Sequence, residues 1–361
     1  MTSPLLSRPG AVAAEAPDSA VAAHYGEPAQ EARALDRSAG WTDRSNRGVV
    51  RVAGPDRLSL LHSLTSQALE GVPAGTATEA LLMDANGRVK HHMAVLDDGS
   101  ATWLHTEPGQ GAELAAFLDS MRFMLRVEVA DATGERAVLT LAGPDRDEVL
   151  GKASGSLPED LPVRREEETA ARRASIEGGG GRRAGRIDLL VPRGELSAAA
   201  SALTEAGARP VGLWAYEADR IAEHRPRQGL DTDERTIPHE AGWIGTAVHL
   251  DKGCYPGQET VARVENLGRP PRRLVMLHLD GTAERLPERG AAVELDGRAV
   301  GRVGSSARHH ELGPVALALV KRNVPVDAEF LVDGVAAAQE VIVPPDTGAA
   351  AQDRLRGLRG R

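Results

Sequence analysis

The stretch Lys252-Gly253-Cys254-Tyr255-Pro256-Gly257-Gln258-Glu259 holds the only cysteine of a 361-residue chain. It sets a thiol beside a cation and among residues that let backbone come close to a neighbour. A thiol attacks only as its thiolate, and a positive charge such as that of Lys252 lowers the thiol pKa. Gly253 and Gly257 remove side chains that would hold a ligand or a second strand away. Two readings stand side by side: a nucleophilic Cys254, or a turn that ends in a small buried thiol.

The flanks extend the pattern, because Ile237-Pro238-His239-Glu240 lies upstream and Arg263 and Gly268 follow. With them the octapeptide resembles the signature of the folate-binding YgfZ branch of the glycine-cleavage T-protein (aminomethyltransferase) superfamily, over a span from about Ser38 to about Pro344. The resemblance implies an α+β fold of three domains in a ring, with α/β folate-binding domains followed by a C-terminal β-barrel. It implies a central cavity for tetrahydrofolate or a folate derivative. It also implies a role in iron–sulfur cluster assembly or repair, related to mitochondrial assembly factors and linked to tRNA modification. The partners on that reading are the folate and iron–sulfur proteins or their assembly factors. Cys254 becomes the functional thiol, Lys252 biases it toward thiolate, and Gln258 and Glu259 hold the loop.

Length and composition bound the rest. A chain of this size exceeds one small core and suggests two or three domains. Hydrophobic residues make up 41% but aromatic residues only 3%, so Ala, Val and Leu must build the interior and each Trp or Tyr is informative. A net charge of −9 speaks against general nucleic-acid binding. A single cysteine excludes an internal disulfide, a CxxC zinc site and a four-cysteine cluster, so this chain alone is expected to hold no metal. No apolar run reaches the ~18–20 residues of a membrane span. Residues 1–37, rich in Ala, Pro and Ser, read as a disordered leader on a cytoplasmic protein, and 346–361 as a disordered tail.

An internal repeat organises the first half. Arg51-Val52-Ala53-Gly54-Pro55-Asp56-Arg57 matches Thr140-Leu141-Ala142-Gly143-Pro144-Asp145-Arg146, each copy between a strand pattern and a helical one. Between them Asn86-Gly87 marks a hairpin. Domain boundaries are expected at 38–150 and 186–268 for the two folate-binding parts and 269–345 for the barrel. Residues 151–185, with Gly178 to Gly181 beside Arg182 and Arg183, read as a flexible loop without P-loop spacing. After Gly268 six short strands separated by Gly, Pro and Asp indicate a small barrel.

Two departures from the resembled family bear on chemistry. Where its transferases carry an aspartate pair, this chain has His91 and His92. Adjacent strand residues face opposite ways, so one imidazole is expected to face the cavity, donating a hydrogen bond or titrating near neutral pH. Where relatives carry a pterin-gripping glutamate, this chain has Ala222, with Glu223 one residue later. One residue is ~100° of helix, so Glu223 replaces it only if the helix shifts or frays. Arg227, or Arg225, is the candidate partner for a folate glutamate tail, with surface salt bridging as the competing reading. Trp214, Tyr216, Trp243 and Tyr255 are candidates for the wall on which a pterin stacks. Whether the chain turns over a substrate stays open, and both a folate-dependent one-carbon transferase or demethylase and a non-catalytic scaffold remain as alternatives.

Overall fold

A computed structural model describes residues 1–166, 185–266, 268–282 and 285–348. The chain opens with a small hairpin of β1 (Val12–Ala13) and β2 (Ala22–His24), then helix α1 (Pro28–Arg37). Strands β3 (Gly40–Asp43) and β4 (Gly48–Ala53) and helix α2 (Arg57–Leu64) lead into β5 (Ala77–Met83), β6 (Val89–Asp97) and β7 (Ala101–Thr106). Helix α3 (Gly111–Ser120), β8 (Glu128–Asp131), β9 (Arg136–Ala142), α4 (Arg146–Ala153) and β10 (Val163–Arg165) follow. Then come β11 (Ile187–Pro192), α5 (Leu196–Glu205), β12 (Arg209–Pro210), α6 (Leu213–Ala222) and α7 (Gln258–Asn266). The last six strands are β13 (Arg272–Leu279), β14 (Ala292–Leu295), β15 (Arg298–His309), β16 (Gly313–Lys321), β17 (Glu329–Val332) and β18 (Val335–Val341).

These elements form a mixed α/β fold with two five-stranded sheets, ordered β5-β6-β7-β4-β8 and β10-β11-β9-β3-β12, and a closed six-stranded barrel, β13-β16-β15-β14-β17-β18. The repeat of the sequence is a repeat of backbone. Gly54 and Gly143 have φ of +107° and +105°, and a Cβ at either would lie 2.2 Å from Arg126 O or 2.4 Å from Ser38 O. Only glycine fits both the conformation and the space. Each therefore turns a buried strand, β4 or β9, into a helix, α2 or α4, whose N-cap is the aspartate of the repeat.

Aliphatic side chains build the cores, as the scarcity of aromatics requires. Leu139, Leu141, Leu189 and Val191 of the second sheet pack on Leu196, Ala199 and Leu203 of α5. Val50, Val52, Met93 and Leu104 of the first sheet pack on Leu60 and Leu61 of α2 and Leu114 and Leu118 of α3. The barrel is apolar on both faces of β13 and β16. Val275, Leu277, Ala316 and Ala318 fill its interior, while Leu274, Met276, Leu317 and Leu319 cover Ala218 and Ile221 of α6. The barrel thus packs against α6 from outside.

The expectation of a disordered leader over 1–37 is corrected. Leu5 sits in the core of the second sheet, Val21 is fully buried and α1 packs against α6. Isolated apolar residues among Ala, Pro and Gly carry no periodicity, so their role as plugs is invisible in sequence. Gly178 to Gly181, Arg182 and Arg183 lie outside the described residues, as does the tail beyond Gly348. Among the described residues no helix is long and apolar enough to cross a membrane.

Candidate functional site

A polar cavity lies where the two sheets, the C-terminal end of α6 and the loop after it meet, enclosing roughly 860 Å³ with the solvent at its mouth included. Seven arginines and five carboxylates line it, so the wall is an ionic lattice. Its floor is Asp188 of β11, which accepts from Thr140 Oγ1 at 2.7 Å, Arg164 at 3.0 Å and His105 Nε2 at 3.0 Å. Burial would raise its pKa, but His105, Arg44 and Arg164 together hold the carboxyl well below the usual range. Burial outweighs the same pair for His105, whose pKa falls to about 4, so this ring is neutral at physiological pH.

Glu223 occupies the rim of the helix. Helix α6 ends at Ala222, Glu223 is its C-cap residue and His224 turns the chain away with φ of +59°. The helix thus ends at this residue, and the Glu223 carboxylate is buried in the cavity wall. Oε2 lies 2.7 Å from Arg225 Nε and 3.0 Å from Arg186, yet accepts no well-directed hydrogen bond. Burial pushes its pKa up to about 7 against the pull of those two guanidiniums. Arg186 in turn lies 4.3 Å over the ring of Tyr216, holding that aromatic face in place.

The opposite wall belongs to β5 and β6. The pleat separates the two histidines as expected: His91 faces away and bonds Gln110 at 3.1 Å, while His92 lines the cavity. The His92 ring stacks on Trp243 at 5.0 Å, and its Nε2 lies 3.1 Å from Glu79 Oε2. A carboxylate thus stands one imidazole behind the cavity wall.

Of the residues singled out in sequence, the structure gathers His92, Tyr216, Glu223, Arg225, Arg227 and Trp243 around one cavity. It separates the others from it. Trp214 is 57% exposed and leans on His24 outside, because it points away from the face of α6 that the barrel and sheet cover. Tyr255 is buried behind the wall, in an apolar cluster with Leu81, Met83, Val89 and Trp243, and does not itself line the cavity. Arg227 lines the cavity, but its donors are taken by Asp18 and Glu107, at 2.8 Å each, so it ties the N-terminal segment to β7 and is not free to pair with a ligand tail.

The octapeptide is likewise corrected in part. Lys252 does not serve the thiol: its ammonium donates to the carbonyls of His62, Thr65 and Gln67, and burial lowers its pKa to about 8. An ammonium has three donors, and three carbonyls use them. Gln258 does hold the loop, donating to Lys252 O at 3.2 Å. Glu259 does not, since it pairs with Arg263 on the exposed face of α7. Cys254 itself is exposed.

Sequence reasoning missed Glu79, His105, Glu107, Arg164, Arg186 and Asp188. One signal was available: Glu79 and Asp188 are single charges at buried positions of otherwise uncharged strands. A charge in such a position is nearly always paired or functional.

Two sheets joined by a strand–Gly–helix repeat, a closing barrel and a polar cavity at their junction define an architecture shared with known proteins. Residues 5–178 match the model of the GCVT N-terminal domain. The architecture is similar to that of glycine cleavage system aminomethyltransferase T from Bartonella henselae, with a TM-score of 0.77 over 93% of this chain and 94% of that one, at 20% identity. An aminomethyltransferase of Symbiobacterium thermophilum is 27% identical over 89% of each chain. A chloroplastic protein of Arabidopsis thaliana named "putative transferase" is 28% identical over 75% of this chain, which spans 62% of that protein's length. The first half of the chain thus matches a GCVT N-terminal domain, and the chain is similar to aminomethyltransferases over most of its length.

Proposed function

We propose that the chain is a cytoplasmic folate-binding protein of the YgfZ branch, which holds tetrahydrofolate or a derivative in this cavity and supports iron–sulfur cluster assembly or repair. The observation that carries the folate reading is Glu223. A pterin presents a ring N–H and an amino group side by side, which a carboxylate accepts as a pair. Glu223 supplies such a carboxylate, buried in the wall of a cavity that Tyr216 and Trp243 also line, with Oε2 lacking a directed donor. The residues present therefore fit the group. Within the cavity Glu223 would orient the pterin, Tyr216 and Trp243 would flank it, and the surrounding ionic lattice would keep water out of the wall.

Bound tetrahydrofolate would supply nitrogen atoms able to carry a one-carbon unit. No aspartate pair is present to assist that chemistry, which favours the branch without established glycine cleavage. The exposure of Cys254 supports the second half of the reading, because an accessible thiol on a pinned loop can meet a partner's thiol or cluster. Equilibrium dialysis with tetrahydrofolate tests the site. Replacing Cys254 by Ser in cells, read as the activity of iron–sulfur enzymes, tests the role: full activity would leave a binding protein whose thiol is dispensable.

A further inference from the structure

We propose that Glu79 and His92 form a carboxylate–imidazole couple that holds a proton at the cavity wall for a basic nitrogen of the bound ligand. The proposal rests on the reading of the cavity as a reduced-folate site. Its geometry follows from strand register. Leu81 of β5 lies opposite His92 of β6, so Glu79, two residues along, shares the face of His92 and is its diagonal neighbour. The pair meets at 3.1 Å with both side chains largely buried. Trp243 stacks on the ring and fixes its plane.

The chemistry follows from which nitrogen is engaged. With Nε2–H directed at Glu79, the neutral ring keeps a lone pair on Nδ1, and the protonated ring carries a donor there, its charge balanced by the carboxylate. Proton transfer breaks the Nδ1–H bond of His92 and forms an N–H bond on an amine nitrogen of the reduced pterin. The positive charge passes from imidazole to ligand while Glu79 stays anionic, and the reverse step restores the ring. Among the described residues, the charged groups that line the cavity with this pair include Arg44 and Arg47 after β3, His105 and Glu107 at β7, Arg164 of β10 and Glu166 beyond it, Arg186 and Asp188 at β11, Arg220 of α6, and Glu223, His224, Arg225 and Arg227 after it. The neighbouring Asp188–His105 pair cannot serve in the same way. Asp188 is shared with Arg164 and Thr140, and burial keeps His105 neutral. His92 has Glu79 as its hydrogen-bonded carboxylate and is the less buried ring. In this couple His92 would touch the ligand and Glu79 would be a positioning residue.

The test is an NMR titration of the imidazole resonances of the full chain, assigned with His92→Asn, for wild type, Glu79→Gln and Glu79→Asp, with and without tetrahydrofolate. Loss of the carboxylate charge in Glu79→Gln is expected to lower the His92 midpoint, and Glu79→Asp to restore it in part. Ligand known from calorimetry to be bound is expected to move the His92 midpoint in wild type. A midpoint indifferent to Glu79→Gln overturns the couple whether or not folate binds, and so does bound folate that leaves His92 unmoved. Absence of folate binding sinks the folate reading alone, because the unliganded titration still decides whether the couple holds its proton.

Discussion

Gly257 of the octapeptide packs backbone to backbone against Gly87 of the β5–β6 hairpin. A Cβ at Gly257 would lie 2.7 Å from the Gly87 Cα and 2.8 Å from Asp84 O, and its φ is +83°. The two sequence features that stood out independently, the octapeptide and the Asn-Gly turn, are thus one contact. That contact sets the octapeptide loop against the hairpin whose strands carry Glu79 and His92.

Gly257→Ala is therefore expected to destabilise the fold by about 1–3 kcal/mol, from a strained φ and a backbone clash that no side-chain rotamer relieves. Gly253→Ala, four positions from it on the other side of Tyr255, meets nothing within 4 Å and should stay within about 0.5 kcal/mol of wild type. Urea unfolding of the two variants checks the contrast.

Lys252→Met should cost about 2–4 kcal/mol, because three backbone carbonyls at the loop lose their donor. The pH dependence of Cys254 alkylation should not change in the same variant, since the ammonium is spent on those carbonyls. A shifted alkylation profile would restore the thiolate-activating role that the sequence suggested.

Removing residues 1–24 should abolish cooperative folding or lower the melting temperature by roughly 10 °C or more, as it deletes Leu5, Val21 and the Asp18 partner of Arg227. A disordered leader would be removable without effect. Calorimetric scans of full-length and truncated protein distinguish the two.

Glu223 links stability and binding to pH in opposite directions. Its pKa rises from 4.5 to about 7 on folding, so the native state binds the proton more tightly than the unfolded chain does. Its contribution to stability is therefore greatest below pH 4.5 and declines as pH rises toward 7, by an order of a few kcal/mol at most. Glu223→Gln should remove that decline, so the stability difference between variant and wild type should grow in the variant's favour from pH 5 to pH 8. Pterin binding needs the anion, so wild-type affinity should rise over the same interval. Thermal melts and binding isotherms across that range check both signs.

How much of this was legible in sequence depended on whether a residue's role is local. The strand–Gly–helix repeat was readable because Gly54 and Gly143 are required by their own φ, and the barrel because its strands are short and separated by turn residues. The pleat placed His91 and His92 on opposite faces without any tertiary information. Glu223 could not be decided, because the outcome turned on where α6 ends, which the chain reversal at His224 marks only in the folded structure. Lys252 was misread because sequence adjacency to Cys254 says nothing about carbonyls some 190 positions away. Trp214 and Tyr255 were misassigned for the same reason: an aromatic residue announces its size in sequence, but not which way its helix or loop will turn it.

The central claim is that the cavity takes a reduced folate on the Glu223 carboxylate, and isothermal calorimetry with tetrahydrofolate at pH 8 tests it most directly. Wild type should bind one equivalent, and Glu223→Ala should lose at least about tenfold in affinity, the cost of a charge-assisted pair of hydrogen bonds. No binding by the folded wild-type protein, or equal affinity in Glu223→Ala, would contradict the account.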